Sequence, residues 1–401
     1  MKIMQRIIIG VLFLSLVTCQ KNNLPLPKAK PKDVGMSSSH LNLVNNIIKE
    51  AITRKEFPGA VILVSRKGKI VLRKAHGDSQ WIPERRPMNV SMIFDIASIT
   101  KPVATATSIM ILAEQGRIRL WDKVKDFIPE FVPYIDENGE PGEDACLWHL
   151  FTHTSGLPPI TDPEEIKQKY GDPCPLVFMI EHISQLEKSD PPGEAFHYSC
   201  LGFITLAYIV EKVTGQTIAE FAEENIFKPL KMKHTFFLPS EKFQRLCVPT
   251  EVIDDNPLIG VVHDPRARLL GGISGNAGLF STADDLAIFA QMMLNKGKFK
   301  GTRILSPLTV ERMTSVYSKA DFSGRGLGWD LDSPNATNRG DIFGPHSYGH
   351  TGYTGTSIWI DPDTETFVIF LTNRVHPYDE GLIVSMRSKV ANVVASSINR
   401  E

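Results

Sequence analysis

Two pairs of β-rich runs sit at opposite ends of this 401-residue chain, and they constrain its fold more than anything between them. Near the start, residues 60–65 and 70–75 flank Arg66-Lys67-Gly68-Lys69, where Gly68 supplies the backbone freedom of a tight hairpin turn. Near the end, residues 356–360 turn at Asp361-Pro362-Asp363 and return as 366–372. An amphipathic helix over 37–54 (Leu41, Leu43, Val44, Ile47, Ile48, Ala51, Ile52) precedes the first pair, and a helix over about 382–398 follows the second. Between them the chain is mainly helical, with periodic runs at 204–213 and 218–227 and a capping box of Thr282 with Asp285 before a helix through Met293. Strands at both ends with a helical block between them predict an α+β fold: one antiparallel sheet built from both ends and flanked by helices. The sheet region spans 36–95 and 285–401, and the inserted helical domain spans about 98–280.

Chemistry enters at Asp95-Ile96-Ala97-Ser98-Ile99-Thr100-Lys101-Pro102. Residues three apart share a helix face, so the Ser98 hydroxyl and the Lys101 ammonium can come within hydrogen-bond reach. A serine hydroxyl is a weak nucleophile until a neighbour takes its proton, and a helix N-terminus favours developing negative charge. Alone, a Ser-x-x-Lys reads more readily as an N-capping serine and a solvated lysine than as a catalytic pair. Two later stretches change that balance: Phe196-His197-Tyr198-Ser199-Cys200 and His350-Thr351-Gly352-Tyr353. His153 has no second ligand at useful spacing, so it reads as structural rather than metal-binding. His263-Asp264 reads as a buried, satisfied pair rather than a proton relay. The glycines from 271 to 278 match neither Walker nor dinucleotide spacing, so no cofactor and no metal are expected.

With 44 basic and 45 acidic residues the chain has no polyanion signature, and nucleic acid is not an expected partner. Lys2 and Arg6 precede an apolar run from Ile7 to Val17 that is too short to span a bilayer, which reads as an export signal over 1–19. Leu16-Val17-Thr18-Cys19 resembles a bacterial lipobox, which implies lipidation of Cys19, and 20–35 reads as a Pro- and Lys-rich tether. The expected location is therefore the periplasm or cell envelope, with membrane contact only through Cys19. Cys146, Cys174, Cys200 and Cys247 leave disulfide pairing open.

Taken in order, Ser98-Ile99-Thr100-Lys101, Tyr198-Ser199-Cys200 and His350-Thr351-Gly352 resemble the three active-site motifs of the class C β-lactamase-like serine hydrolases, a superfamily that includes DD-peptidases and penicillin-recognising esterases. Thr152-His153-Thr154-Ser155-Gly156-Leu157 and Gly278-Leu279-Phe280-Ser281-Thr282 are similar too, and the likeness runs from about residue 36 onward. Val262-His263-Asp264 with the following glycines most resembles a subgroup of penicillin-binding-like proteins and muropeptide amidases.

The resemblance implies acyl transfer through an ester on Ser98. Lys101 and Tyr198 would share the acid and base work, with an oxyanion hole from the N–H groups of Ser98 and Tyr353. A lysine acting as base must be desolvated or sit beside positive charge; alternatively a charged Lys101 stabilises a Tyr198 phenolate. His350, Thr351, Gly352, Tyr353 and Cys200 would line the substrate site, with His350 facing the substrate from a strand edge as a hydrogen-bond donor. Two departures, Cys200 where Asn is common and His350 where β-lactamases carry Lys, count against efficient β-lactam hydrolysis. The expected substrate is a cell-wall peptide or peptidoglycan fragment, cleaved by a DD-carboxypeptidase-like or muropeptide amidase-like activity. A penicillin-binding-type carboxylesterase for short acyl esters, a β-lactamase and a non-catalytic binding relative are the alternatives.

Overall fold

The computed structural model describes residues 24–399. The expected export signal and Cys19 lie outside them. Helix α1, Ser38–Thr53, is capped by Ser37, whose hydroxyl accepts from the His40 N–H. Of the face its periodicity marked it buries Leu41, Val44, Ile48 and Ala51, while Ile47 and Ile52 are half-buried and Leu43 is exposed. Strands β1, Gly59–Arg66, and β2, Lys69–Gln80, form the first hairpin. Its two turn residues, Lys67 and Gly68, have φ of +50° and +71°, the left-handed pair that matches strand twist. A short edge strand β3, Arg86–Pro87, follows. The helical block contributes α2, Thr107–Glu114, α3, Leu147–Thr152, α4, Cys200–Thr214, and α5, Ala283–Leu294. The chain then returns through β4, Tyr348–Thr351, β5, Ser357–Asp361, and β6, Thr366–Thr372, to α6, Val384–Ser396.

Among the described residues these six strands form one sheet in the order β4-β5-β6-β1-β2-β3. The two ends join where β1 runs antiparallel to β6, from Ala60 opposite Thr372 to Arg66 opposite Thr366. Both faces of the seam are covered, so β1 is buried along its whole length. Ala60, Ile62 and Val64 pack with Trp359, Phe370 and the apolar faces of α1 and α6. Val61 and Leu63 point the other way, into a larger core with Ile358, Ile369 and Leu371 of the sheet and Phe289 of α5. The antiparallel sheet built from both ends is therefore present.

Several local readings change. Residues 24–35, expected to be tether, pack from Leu26 onward: Leu26, Val34 and Met36 are buried, and Ile70 of β2 exchanges backbone hydrogen bonds with Pro27 and Ala29. The capping box at Thr282 is half formed. Thr282 Oγ1 accepts from Asp285 N–H, but the Asp285 carboxylate turns to His234 N–H and Thr235 Oγ1 instead. All four cysteines among the described residues are free thiols. No helix among the described residues is long and apolar enough to cross a membrane.

Replacing Gly68 forces a side chain into a left-handed conformation, while the space around it is open apart from Gln291 Oε1 at 3.9 Å. Gly68→Ala should therefore lower unfolding free energy by about 1–2 kcal/mol, read from the urea midpoint, with no change in activity.

Candidate active site

Ser98 is not on a regular helix. It sits in a 3₁₀ turn, Ala97–Ile99, that opens into a wide π-type turn, Lys101–Ala106, before α2 begins. Pro102 supplies no N–H, and Thr107 Oγ1 reaches back to the Pro102 carbonyl at 2.8 Å, closing the widened turn. The residue before the nucleophile, Ala97, has φ of +46°, a strained value for a side-chain-bearing residue. Thr354 Oγ1 donates to Asp95 O at 2.7 Å and Thr356 Oγ1 to Ile96 O at 3.1 Å, tying this turn to the one after β4.

Lys101 is fully buried. Its Nζ donates to Ser98 Oγ at 2.9 Å, to Asn276 O at 2.9 Å and to Cys200 Sγ at 3.6 Å, which occupies its three protons. The Asn276 carbonyl comes from the glycine-rich passage, where Gly275 lies against the Phe203 carbonyl: a Cβ there would stand 2.0 Å from that oxygen. Burial acts to lower the Lys101 pKa, but Cys200, Tyr198 and the carboxylate of Asp264 act to raise it and together prevail, so it lies above its ordinary value.

Tyr198 lies half-buried with its ring centroid 5.1 Å from Lys101 Nζ and 5.8 Å from the Arg325 guanidinium carbon. The loop that carries it is fixed by His153, the left-handed cap of α3, whose ring lies 4.3 Å from the Tyr198 ring. His153 Nδ1 accepts from Ser199 N–H at 3.0 Å. Burial, then the charges of Arg325 and Lys101, push its pKa well down, so it is a neutral structural group. Ser199 turns away from the site: its hydroxyl donates to Pro158 O at 2.6 Å and caps α4. Cys200, at the first position of α4, does reach the site through Lys101.

His350 departs from the sequence reading. It is buried, not a donor on an exposed edge: its Nδ1 bonds the Thr351 carbonyl at 2.8 Å, and its Nε2 lies 3.2 Å from Arg325 Nη2. Arg325 has only donors, so Nε2 accepts and the proton sits on Nδ1. Burial, then Arg325 and Lys101, hold its pKa well below the usual histidine value. The positive charge at this position belongs to Arg325. A small hairpin delivers it by pairing Asp330 with Gly349 of β4, and Asp330 Oδ2 lies 3.1 Å from Arg325 Nη1.

Ser98, Tyr198, Arg325, His350, Thr351, Gly352 and Tyr353 share one open cavity of about 760 Å³ with Arg374 and Arg387. Arg387, from α6, donates to the Gly352 and Thr356 carbonyls at 2.6 and 2.8 Å and holds both ends of the turn carrying Tyr353. Its pKa is lowered to about 9 by burial and then by Arg374. Arg374 lies over the Tyr353 ring at 4.4 Å and pairs with Asp379 at 2.6 Å. The exposed side chains of Leu382 and Val384 add an apolar rim.

Sequence reasoning missed Arg325, Arg387, Asn276 and the anchoring role of Asp95. Arg325 had one visible signal, an arginine among glycines in Gly324-Arg325-Gly326-Leu327-Gly328-Trp329-Asp330. Arg387 and Asn276 had none, since one acts from a terminal helix and the other through its backbone. His263 and Asp264 do not pair with each other: His263 lies against Tyr353 and near Glu251, while Asp264 caps a short helix and pairs with Arg266. Among the described residues no cluster of three or more His, Cys, Asp or Glu is placed to hold a metal.

The family described as Beta-lactamase matches residues 44–390. A Bacillus subtilis (strain 168) N-acetylmuramyl-L-alanine amidase is 33% identical over 372 residues, covering 85% of this chain and 82% of its own. An Escherichia coli (strain K12) protein provisionally named D-alanyl-D-alanine carboxypeptidase is 30% identical over 406 residues, 91% of each chain. Among solved structures, EstCE1, a hydrolase with promiscuous acyltransferase activity, gives a TM-score of 0.71 at 22% identity, covering 89% of this chain and 99% of its own. An octameric penicillin-binding protein homologue from Pyrococcus abyssi gives 0.70 at 24% identity, covering 90% and 78%. At these identities the two structures are likenesses of fold.

Locking His350 neutral has a measurable consequence. As pH falls through about 6.5 the unfolded chain takes a proton at this residue and the native chain does not, so stability present above that pH is lost below it. His350→Asn should reduce the slope of unfolding free energy against pH by roughly 1 kcal/mol per unit between pH 6 and 5. Urea titrations at several pH values read this directly, and identical slopes would mean that native His350 is protonated.

Proposed function

The chain belongs to the beta-lactamase family and is a serine hydrolase, and from that premise we propose that it cleaves an amide bond in an anionic cell-wall peptide through an ester on Ser98. The observation that carries this reading is the buried Lys101 ammonium bonded to Ser98 Oγ at 2.9 Å in a cavity walled by guanidinium groups. The relatives named as a muramyl-alanine amidase and a D-alanyl-D-alanine carboxypeptidase support the substrate class. So does the cavity's charge: Arg325 and Arg374 are each paired with an aspartate, and Arg387 bonds only carbonyl groups among the partners above. A substrate carboxylate would complete that balance.

In this mechanism Lys101 is charged at rest and donates to Ser98, so it is not the group that takes the serine proton. Tyr198, whose ring lies beside the Lys101 and Arg325 charges, takes it, and Ser98 Oγ attacks the carbonyl. The N–H groups of Ser98 and Tyr353 receive the developing oxyanion, the arrangement that lowers acyl-transfer barriers most. Tyr198 then returns the proton to the leaving amine, and water repeats the sequence on the ester. Thr351 and Gly352 line the strand along which the peptide lies, and Cys200 acts through Lys101 rather than on substrate. Export follows the same reading: cell-wall peptide lies outside the cytoplasm, in keeping with an export signal over 1–19 and a lipid anchor at Cys19.

The purified chain should be incubated separately with a muramyl peptide bearing an L-alanyl stem and with an acyl-D-Ala-D-Ala peptide, and the products identified by mass spectrometry. One of them should be cleaved, with turnover at least roughly 10³-fold lower in Ser98→Ala. Replacing the substrate carboxylate by a carboxamide should lower kcat/KM at least about 10-fold. Turnover confined to short p-nitrophenyl esters would replace this reading with that of a carboxylesterase.

A further inference from the structure

One buried acid adjoins the nucleophile and takes no part in the steps above. Asp95 is 2% exposed, and both its carboxylate oxygens are engaged: Oδ1 accepts from Ala97 N–H at 2.8 Å and Oδ2 from His263 N–H at 2.7 Å. Its own carbonyl accepts from Thr354 Oγ1 at 2.7 Å. The three donors come from three segments that meet at the site. Ala97 is the strained residue immediately before Ser98. His263 lies nearly flat on the Tyr353 ring, 5.5 Å between centroids and 22° between planes. Thr354 directly follows Tyr353 in the turn after β4.

The chemistry of the group matters. Burial pushes the Asp95 pKa up and the His263 and Ala97 N–H donors act against that; in its ionised form the carboxylate presents acceptors only, which suits those two converging donors. A carboxamide of the same shape must turn an NH₂ toward one of them, leaving that buried donor unpaired. Ala97 at φ of +46° also needs an external hold, because its intrinsic preference is elsewhere.

We propose that Asp95 is the positioning residue that sets the N–H groups of Ser98 and Tyr353 relative to each other, and thereby the rate at which Ser98 is acylated. The proposal rests on the assignment of those two N–H groups to the oxyanion. Asp95 touches no reacting atom; its carboxylate acts through the Ala97 turn on one side and through His263 on the other, while its backbone carbonyl holds Thr354. Displacing a reacting group by about an ångström costs on the order of 10²-fold in rate, which is the effect expected here.

The test uses the full chain, the burst of p-nitrophenol from p-nitrophenyl acetate, and inhibition by phenylboronic acid, whose tetrahedral adduct on Ser98 mimics the oxyanion. In Asp95→Asn the acylation rate constant should fall roughly 10²-fold, the ester's dissociation constant should stay within about threefold, and the boronate Ki should rise by the same factor as the rate falls. Ala97→Gly removes the strain that Asp95 offsets, so in that background the Asp95→Asn loss should shrink at least about fivefold. Asp95→Ser, which removes both carboxylate acceptors and leaves the backbone carbonyl that Thr354 bonds, should slow acylation at least about 10-fold with a matching rise in Ki, and it decides the question if Asp95→Asn does not fold. Acylation within threefold of wild type in Asp95→Asn, a rate loss with unchanged boronate Ki, or strict additivity with Ala97→Gly would each overturn the proposal. Ser98→Ala separates the two levels. If it still turns over, the parent mechanism fails; if it is inert while Asp95→Asn acylates normally, only the positioning role fails.

Discussion

A fully buried ammonium organises this molecule. Removing a charged amine from water costs several kcal/mol unless its protons find acceptors, and Lys101 finds them on Ser98, Asn276 and Cys200. Those acceptors come from the chain's own turn, from the glycine-rich passage and from the first residue of α4. Each must therefore be held in place by structure far from it in sequence. Gly275 pressed on the Phe203 carbonyl, His153 bonded to Ser199 N–H and Thr105 Oγ1 bonded to Gly275 O at 2.8 Å are the means. The serine hydroxyl is one ligand of a charge that the fold must solvate, so its position is set by the same requirement that keeps the site intact.

The charge of Lys101 propagates outward. Arg325 and Arg387 also face the cavity from within the protein, and a further buried cation beside them would be repelled. Burial first, and then the Arg325 and Lys101 charges, explain why His153 and His350 are neutral and why both use a ring nitrogen as acceptor, the one from Ser199 N–H and the other from Arg325. They also explain the exchange at His350, where the sequence reading expected a donor: the cation approaches from the side, on a hairpin anchored to Gly349, and the strand residue is its acceptor.

That exchange marks how far the sequence could be read. The sheet was legible because its strands are apolar runs closed by turn residues, and Gly68 and Asp361-Pro362-Asp363 name the turns. The family was legible because three motifs occur in order, although each alone reads as a cap, a packing aromatic or a strand entry. What stayed hidden acts by means that leave no pattern: Asn276 through a backbone carbonyl, Arg387 from the final helix, Arg325 through a short hairpin. His350 was misread because a motif position was given an orientation, and orientation depends on a neighbour 25 residues away in sequence. The described part of the 20–35 tether was misread for a related reason: Pro and Lys suggest a solvated linker, while from residue 24 on Leu26 is buried, Pro27 and Ala29 bond Ile70 of β2, and Val34 and Met36 pack with α1 and α6.

The site also lies where all parts of the chain meet. Ser98 and Lys101 follow the first strands, Tyr198 and Asn276 belong to the helical block, and β4 with α6 closes the sheet from the other end. Thr354 and Thr356 bond Asp95 O and Ile96 O across some 260 residues of sequence, and Arg387 fastens the same turn from α6. No local segment can hold the site in isolation, because β4 meets the serine turn through the same sheet that the seam between β1 and β6 joins. The final helix, remote from every motif, is thus part of the active site in the sense that matters physically: loosening α6 frees the carbonyls of Gly352 and Thr356, and with them the backbone on which Tyr353 depends.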